Sequence, residues 1–404
     1  MRGLEEYERY CRVFRGERFP LAFVDLEKFD QNVAYVASTQ QHTGKTIRVH
    51  SKSIRCVALL QRIFERGGDA FRGVMTFTTE ETAFLAERGF DDFILSYPTV
   101  QPTDLDLLVD LTRAGKEACL VVDSVDHLRS LSQAGERAGV ILKACMEVDM
   151  SYRPLKTSLH LGVRRSPIRS IEDALHLARK SEHYPGVSID SIMGYEAHIA
   201  GLNDNLPDAR VKNRLLRALK KASVRELTER RGNVVDRLRQ EGLEIRIVNG
   251  GGSGSLVSTG KDSSVTEVTA GSAFYGPGMF RHFKEVSFVP SAFFALQIVR
   301  RPARDIVTCH GGGYVASGPA GEDRLPVPFL PRGCAFLPFE GAGEVQTPLR
   351  LSKECPEVNL GDPIFFQHAK AGELGERFNA FSLVQGDRVV DEVKTYRGEG
   401  KAFL

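Results

Sequence analysis

Three groups of residues in this 404-residue chain have the types and spacing to do chemistry. The first is Lys52, in the run RVHSKS, directly behind a short apolar, β-branched stretch. A lysine at the end of a buried strand can be desolvated into a neutral amine that attacks an aldehyde, or it can stay an ordinary ion-pair donor. The second is Asn249 to Ser255, NGGGSGS, again behind an apolar stretch. Glycines let backbone N–H groups close on a phosphate and serine hydroxyls add donors, although such a run also serves as a tight turn with no ligand. A dinucleotide fingerprint is excluded because position 255 is serine where a third glycine is needed, and a Walker loop because Lys261 lacks both the spacing and a following Ser or Thr. The third group is Asp149 in MEVDM, Arg153 and Arg164 beyond it, and Glu196 with His198 in GYEAHIAG. Each of these can be a pocket residue or a satisfied ion-pair member at its edge.

The elements that must position these groups alternate. From about residue 45 to 275, short apolar runs alternate with stretches that carry apolar residues three and four apart, the pattern of repeated βα units. The expected strands are Ile47 to Ser51, Gly73 to Phe77, Phe93 to Ser96, Ala118 to Asp123, Leu142 to Val148, Ser191 to Glu196, Ile245 to Val248 and Thr266 to Val268. Eight such strands close a (β/α)8 TIM-type barrel, with the three chemical groups at the carboxyl-end rim where barrels build sites. Phosphate sites recur after strands seven and eight, where the glycine run falls. LEKFDQNVAYVASTQQHTG reads as a helix ahead of the first strand, with Asp25 or Asp30 near its start. Leu202 to Arg239 reads as a long basic helical connection with solvated faces. Beyond about 285 the texture turns to Gly, Pro and short β-like runs, which predicts a second, all-β domain. The division is therefore residues 1–40 leading into the barrel, 41–284 the barrel and 285–404 the β-rich domain.

Composition narrows the function classes. The chain is 42% hydrophobic, enough for a full core, and 54 Lys and Arg balance 52 Asp and Glu. No charge excess points to nucleic acid or to an anionic membrane surface, while small anionic substrates need only a local basic pocket. The charged start has no signal-peptide core and no stretch reaches the roughly 18 apolar residues of a membrane span, so a cytoplasmic location is the expectation. The seven cysteines (11, 56, 119, 145, 309, 334, 355) are scattered without a C-x-x-C pair and read as reduced thiols.

Lysine after strand one and a glycine turn after strand seven resemble the alanine-racemase-like class of pyridoxal-phosphate (PLP) enzymes, fold type III. More closely, the chain resembles the D-threonine aldolase and D-serine dehydratase branch. The residues that carry this are FPLAFVDLEKFDQNV, IRVHSKS, MEVDM with a nearby arginine, NGGGSGS and VTEVTAG, in this order. The resemblance implies that Lys52 holds PLP as a Schiff base and that Gly251, Gly252, Ser253 and Gly254 hold its phosphate. It implies that Arg153 or Arg164 lies near the pyridine ring, and it makes His198 and Tyr275 further cofactor contacts. It also implies a homodimer. The expected activity is a PLP-dependent lyase acting on D-amino acids, β-hydroxy ones above all, by aldol cleavage or by dehydration and deamination. The alternatives are a racemase or epimerase of the same fold, or a non-catalytic PLP-binding protein. A barrel that binds another phosphate ester, with Lys52 only an ion-pair donor, is a third.

The chain departs from that branch in the second domain. Where the branch has His-x-Cys or His-x-Asp as metal ligands, this sequence has His368, Ala369 and Lys370. A protonated ammonium cannot ligate a cation, so Lys370 is expected to replace the metal's charge or to bind the substrate carboxylate. His368 remains a candidate catalytic group and metal ligand, with Glu373 or Cys355 as the second ligand if a divalent ion is used. The aromatic expected two residues after the strand-eight glycine is Ala273 here, with Phe274 and Tyr275 just beyond.

Overall fold

The computed structural model describes residues 2–154, 159–319 and 321–404. After the helix Arg2–Val13 the chain forms β1 (Leu21–Asp25) and the helix Leu26–Ser38. Asp25 caps that helix, its carboxylate accepting from the Lys28 N–H at 3.3 Å and from the Tyr10 hydroxyl at 2.7 Å.

The barrel follows: β2 (Thr46–His50), β3 (Phe71–Thr76), β4 (Phe93–Leu95), β5 (Ala118–Val122), β6 (Leu142–Glu147), β7 (Val187–Gly194), β8 (Ile247–Gly250) and β9 (Glu267–Ala270). These eight strands are all parallel and close in chain order, each overlapping a strand expected from sequence. Parallel strands covered by helices are buried on both faces and so read as unbroken apolar runs; β5, ACLVV, is buried at every position.

One charged cluster lies inside this apolar wall. Arg48 on β2 is fully buried and grips Glu267 on β9 with two hydrogen bonds, Nε–Oε1 at 2.6 Å and Nη2–Oε2 at 2.9 Å. Its remaining donors reach the carbonyl and carboxylate of Asp92, and Asn249 donates to Glu267 at 2.7 Å. Gly73, with φ +70°, must be glycine, because a Cβ there would meet the Arg48 guanidinium at 2.1 Å.

The second domain is one sheet built from β10 (Ala292–Ala303), β11 (Ile306–His310), β12 (Val327–Leu330), β13 (Cys334–Phe336), β14 (Gln346–Leu351), β15 (Pro363–Gln367), β16 (Ala380–Gln385) and β17 (Arg388–Lys394), joined by β1. β1 lies between β10, antiparallel, and β16, parallel. The N-terminal segment thus does more than lead into the barrel: it supplies an interior strand to the sheet made by the far end of the chain. Phe23 on β1 stacks on Phe293 at 5.3 Å between centroids and packs edge-on against Phe365 and Tyr10.

The basic connection is the 31-residue helix Arg210–Gln240. It is not solvated throughout. Arg231 is buried, bound to Asp262 at 2.8 Å and to Glu196, while Arg230 reaches the carbonyls of Asp149 and Ser151.

Two stability measurements follow. Glu267→Ala strands the Arg48 charge in the barrel and is expected to cost about 3–5 kcal/mol in chemical denaturation. Phe23→Ala opens a cavity at the junction of the two chain ends and is expected to cost about 3–5 kcal/mol, with loss of near-UV aromatic signal from the β domain.

Candidate active site

Lys52 sits on a single 3-10 turn, Ser51–Ser53, at the end of β2. Its Nζ donates to the hydroxyl of Tyr97, just past β4, at 2.7 Å. Burial alone would raise the Tyr97 pKa, but the charges of Lys52 and Arg165 outweigh it and hold the phenol below its ordinary value. The Arg165 guanidinium stands 5.5 Å from the Tyr97 ring centroid and 5.7 Å from that of Tyr195, which lies just past β7. Arg165 forms no ion pair with any described carboxylate. His50, at the last position of β2, faces the Met75 carbonyl through Nδ1 at 3.0 Å. Burial and the neighbouring Lys52 charge push its pKa well down, so the ring is neutral and Nδ1 carries the proton.

These groups enclose a chamber of about 100 Å³, which adjoins a cleft of about 1130 Å³ between the barrel rim and the β domain. The chamber's other wall is the glycine turn after β8. Gly251 has φ +79° and donates its N–H to Glu196 at 2.8 Å. At Gly254 a Cβ would lie 2.1 Å from the Ala200 carbonyl oxygen. The Ser253 hydroxyl accepts the N–H groups of Gly271 at 3.2 Å and Ala273 at 3.0 Å, tying the turn after β8 to the turn after β9. The backbone N–H groups of Ser253 and Gly254 find no acceptor among the described residues. Open donors beside a lysine amine and an unpaired guanidinium fit an anionic cofactor that bears an aldehyde, as PLP does.

The structure brings together Lys52, Gly251, Gly252, Ser253 and Gly254, with Lys370 on the facing wall of the cleft. Other residues singled out from sequence lie elsewhere. Arg153 pairs with Asp149 at 2.7 Å and, with Arg164, lines a separate depression outside the chamber. His198 packs beneath the long helix, hydrogen-bonded to Ser223, and burial pushes its pKa down to about 4. Tyr275 is fully buried and donates to the Ile54 carbonyl at 2.8 Å. His368 is buried against Tyr275, its Nδ1 3.2 Å from the Ala292 carbonyl and its Nε2 without a described partner; burial pushes its pKa down to about 4.

These surroundings do not fit a divalent cation. No group of three or more His, Cys, Asp or Glu gathers among the described residues. Cys355 lies with Cys334 at 3.7 Å between sulfurs, and Glu373 is engaged by the Lys370 N–H. Sequence reasoning missed Tyr97, Tyr195 and Arg165. The two tyrosines share one available signal: Tyr97 falls two residues past the end of β4 and Tyr195 one residue past the end of β7, on the rim that carries Lys52.

The model of the alanine racemase N-terminal domain matches residues 24–278. The chain belongs to that family. Its resemblance to the fold-type III PLP enzymes, and within them to the D-threonine aldolase branch, is borne out. The chain is similar to a D-threonine aldolase of Arthrobacter sp., 25% identical over 72% of this chain and 71% of the relative. It shares its fold with the solved D-threonine aldolase from Filomicrobium marinum (TM-score 0.79, 20% identity, 95% of each chain). The D-threo-3-hydroxyaspartate dehydratase from Delftia sp. HT23 has the same fold (TM-score 0.77, 18% identity, 95% of this chain and 98% of that one).

A tyrosinate absorbance is expected to titrate below the ordinary tyrosine range and to be absent in Tyr97→Phe. In Lys52→Met it should move back up in pH, because the charge that favours the phenolate is gone.

Proposed function

We propose that this protein is a PLP-dependent lyase that acts on D-amino acids with a β-hydroxyl group, by aldol cleavage or by dehydration and deamination. The observation that carries the reading is Lys52, hydrogen-bonded to Tyr97 and facing the open N–H donors of the glycine turn across one chamber. Family membership and the named relatives, at modest identity, support the class.

Lys52 is the residue to carry the cofactor; Ser253 and Gly254, with Gly251 and Gly252 shaping their turn, are the residues to hold its phosphate. Arg165 takes the place near the ring that the sequence left between Arg153 and Arg164. When bound, PLP supplies an electron sink for a bond that breaks at the substrate Cα. The chain's own residues then handle charge and protons. The Lys52 amine is the base that takes a proton at Cα or, on the aldol route, at the β-hydroxyl. Tyr97, 2.7 Å from that amine, holds the proton in a short relay and keeps the amine aimed into the chamber. The neutral His50 at the chamber wall adds no positive charge to compete with Arg165.

A racemase requires acid and base groups on both faces of the reacting centre, and Tyr275, the tyrosine that follows the strand-eight glycine, is spent on the Ile54 carbonyl. A simple PLP carrier has no use for a second domain that walls the cleft with Lys370. The proposal includes a homodimer, as the resemblance implies, and a cytoplasmic location, as the sequence leads one to expect, with an amino acid and no nucleic acid or membrane as its partner; among the described residues no helix is long and apolar enough to cross a membrane.

The purified protein reconstituted with PLP is expected to show a visible absorbance band that Lys52→Ala lacks, and borohydride is expected to fix the cofactor on the Lys52 peptide. Lys52→Ala should lose about 10²–10⁴-fold or more in turnover of D-threonine or D-threo-3-hydroxyaspartate. A band that survives the substitution, or an adduct on another lysine, removes the assignment.

A further inference from the structure

We propose that Lys370, Arg324 and Ser317 form an anion subsite built without metal, and that it receives a second carboxylate on the side chain of the substrate. The inference rests on the Lys52 reading above and narrows its substrate class to amino dicarboxylates.

The three residues line the same cleft as Lys52 and Arg165, on its β-domain wall. Lys370 Nζ donates to the Ser317 hydroxyl at 3.2 Å and pairs with no carboxylate among the described residues. Among the described residues Arg324 pairs only with the adjacent Asp323 at 3.6 Å, a side chain 70% exposed to solvent, and its own Nε is buried with no acceptor. Gly318, at φ +127°, backs the guanidinium so closely that a Cβ would sit 2.8 Å from Nε. The Ala316 N–H holds the Arg324 carbonyl at 2.9 Å, which fixes the loop behind the side chain.

The two cations are mutually unfavourable as they stand. Burial, then the charges of Arg324 and Lys52, pull the Lys370 pKa down. Arg55, another cation of this cleft, is already neutralised by Glu376. Arg165 is free to meet an anionic group near the chamber, so a substrate with one carboxylate leaves the Lys370–Arg324 pair uncompensated. A second carboxylate converts that repulsion into two charge-assisted contacts, with Ser317 as a third donor. The sequence already marks Lys370 as a residue that replaces a metal's charge or binds the substrate carboxylate, and its place on the cleft wall lets its ammonium supply that positive charge.

The test is calorimetric binding of succinate against butyrate to the holoenzyme, two acids of equal length that differ by one carboxylate. Succinate is expected to bind about tenfold or more tightly, a ratio lost in Lys370→Met and in Arg324→Met and restored in Lys370→Arg. The visible band on Lys52 should persist in all three variants, and a chelator should leave the ratio unchanged. Equal affinities in the wild type, or a preference that survives both methionine variants, overturns the subsite. A preference that a chelator abolishes and zinc restores overturns its metal independence. Loss of the band from the wild type itself instead overturns the Lys52 reading on which the inference stands.

Discussion

The buried contact between Arg48 and Glu267 spans the seam where the first barrel strand meets the last, and the active site depends on that seam staying closed. Two ions inside an apolar wall carry a large desolvation cost, which is offset only when every donor and acceptor is met. Asp92 and Asn249 meet the remainder, and Gly73 leaves room for the guanidinium. Closure brings the end of β2, with Lys52, beside the ends of β8 and β9. There the Ser253 hydroxyl gathers the Gly271 and Ala273 N–H groups into a single wall. Residues more than 200 positions apart in sequence thereby face one another across a small chamber.

The β domain is held to that rim by main-chain contacts. The N–H groups of Gly278 and Met279 donate to the carbonyls of His368 and Ala369 at 2.9 and 3.0 Å; on the barrel side Tyr275, whose hydroxyl donates to the Ile54 carbonyl two residues beyond Lys52, packs its ring edge-on against His368. His368 sits beneath this clasp as a buried, neutral ring, and the next residues deliver Lys370 to the cleft. Because β1 lies between β10 and β16, the chain's two ends form one sheet, and that nine-stranded sheet backs the second wall of the cleft.

Electrostatics then sorts the site into neutral and charged parts. Burial leaves His50, His198 and His368 unprotonated near neutral pH, so the positive potential of the cleft comes from lysine and arginine alone. Tyr97 is the one phenol here drawn down by that potential; Tyr195, more deeply buried, is pushed up to about 12.

The sequence by itself determined the barrel, the change to a β-rich second half, and the pairing of Lys52 with the glycine turn. Each rests on local information: apolar period marks a strand, and the residue after a parallel strand in a closed barrel lies on the catalytic rim. Only the tertiary structure decided the rest. β1 was illegible because four apolar residues that run straight into the helix cap Asp25 do not announce partners at the other end of the chain. Arg165 rather than Arg164 enters the chamber because neighbouring side chains on one loop point in different directions, and the rings of Tyr97 and Tyr195 set which one turns inward. Tyr275 and His368 look catalytic by residue type, yet packing turns both into the joint between domains. Side-chain direction and burial arise from contacts remote in sequence, and those exist only once the chain has closed on itself.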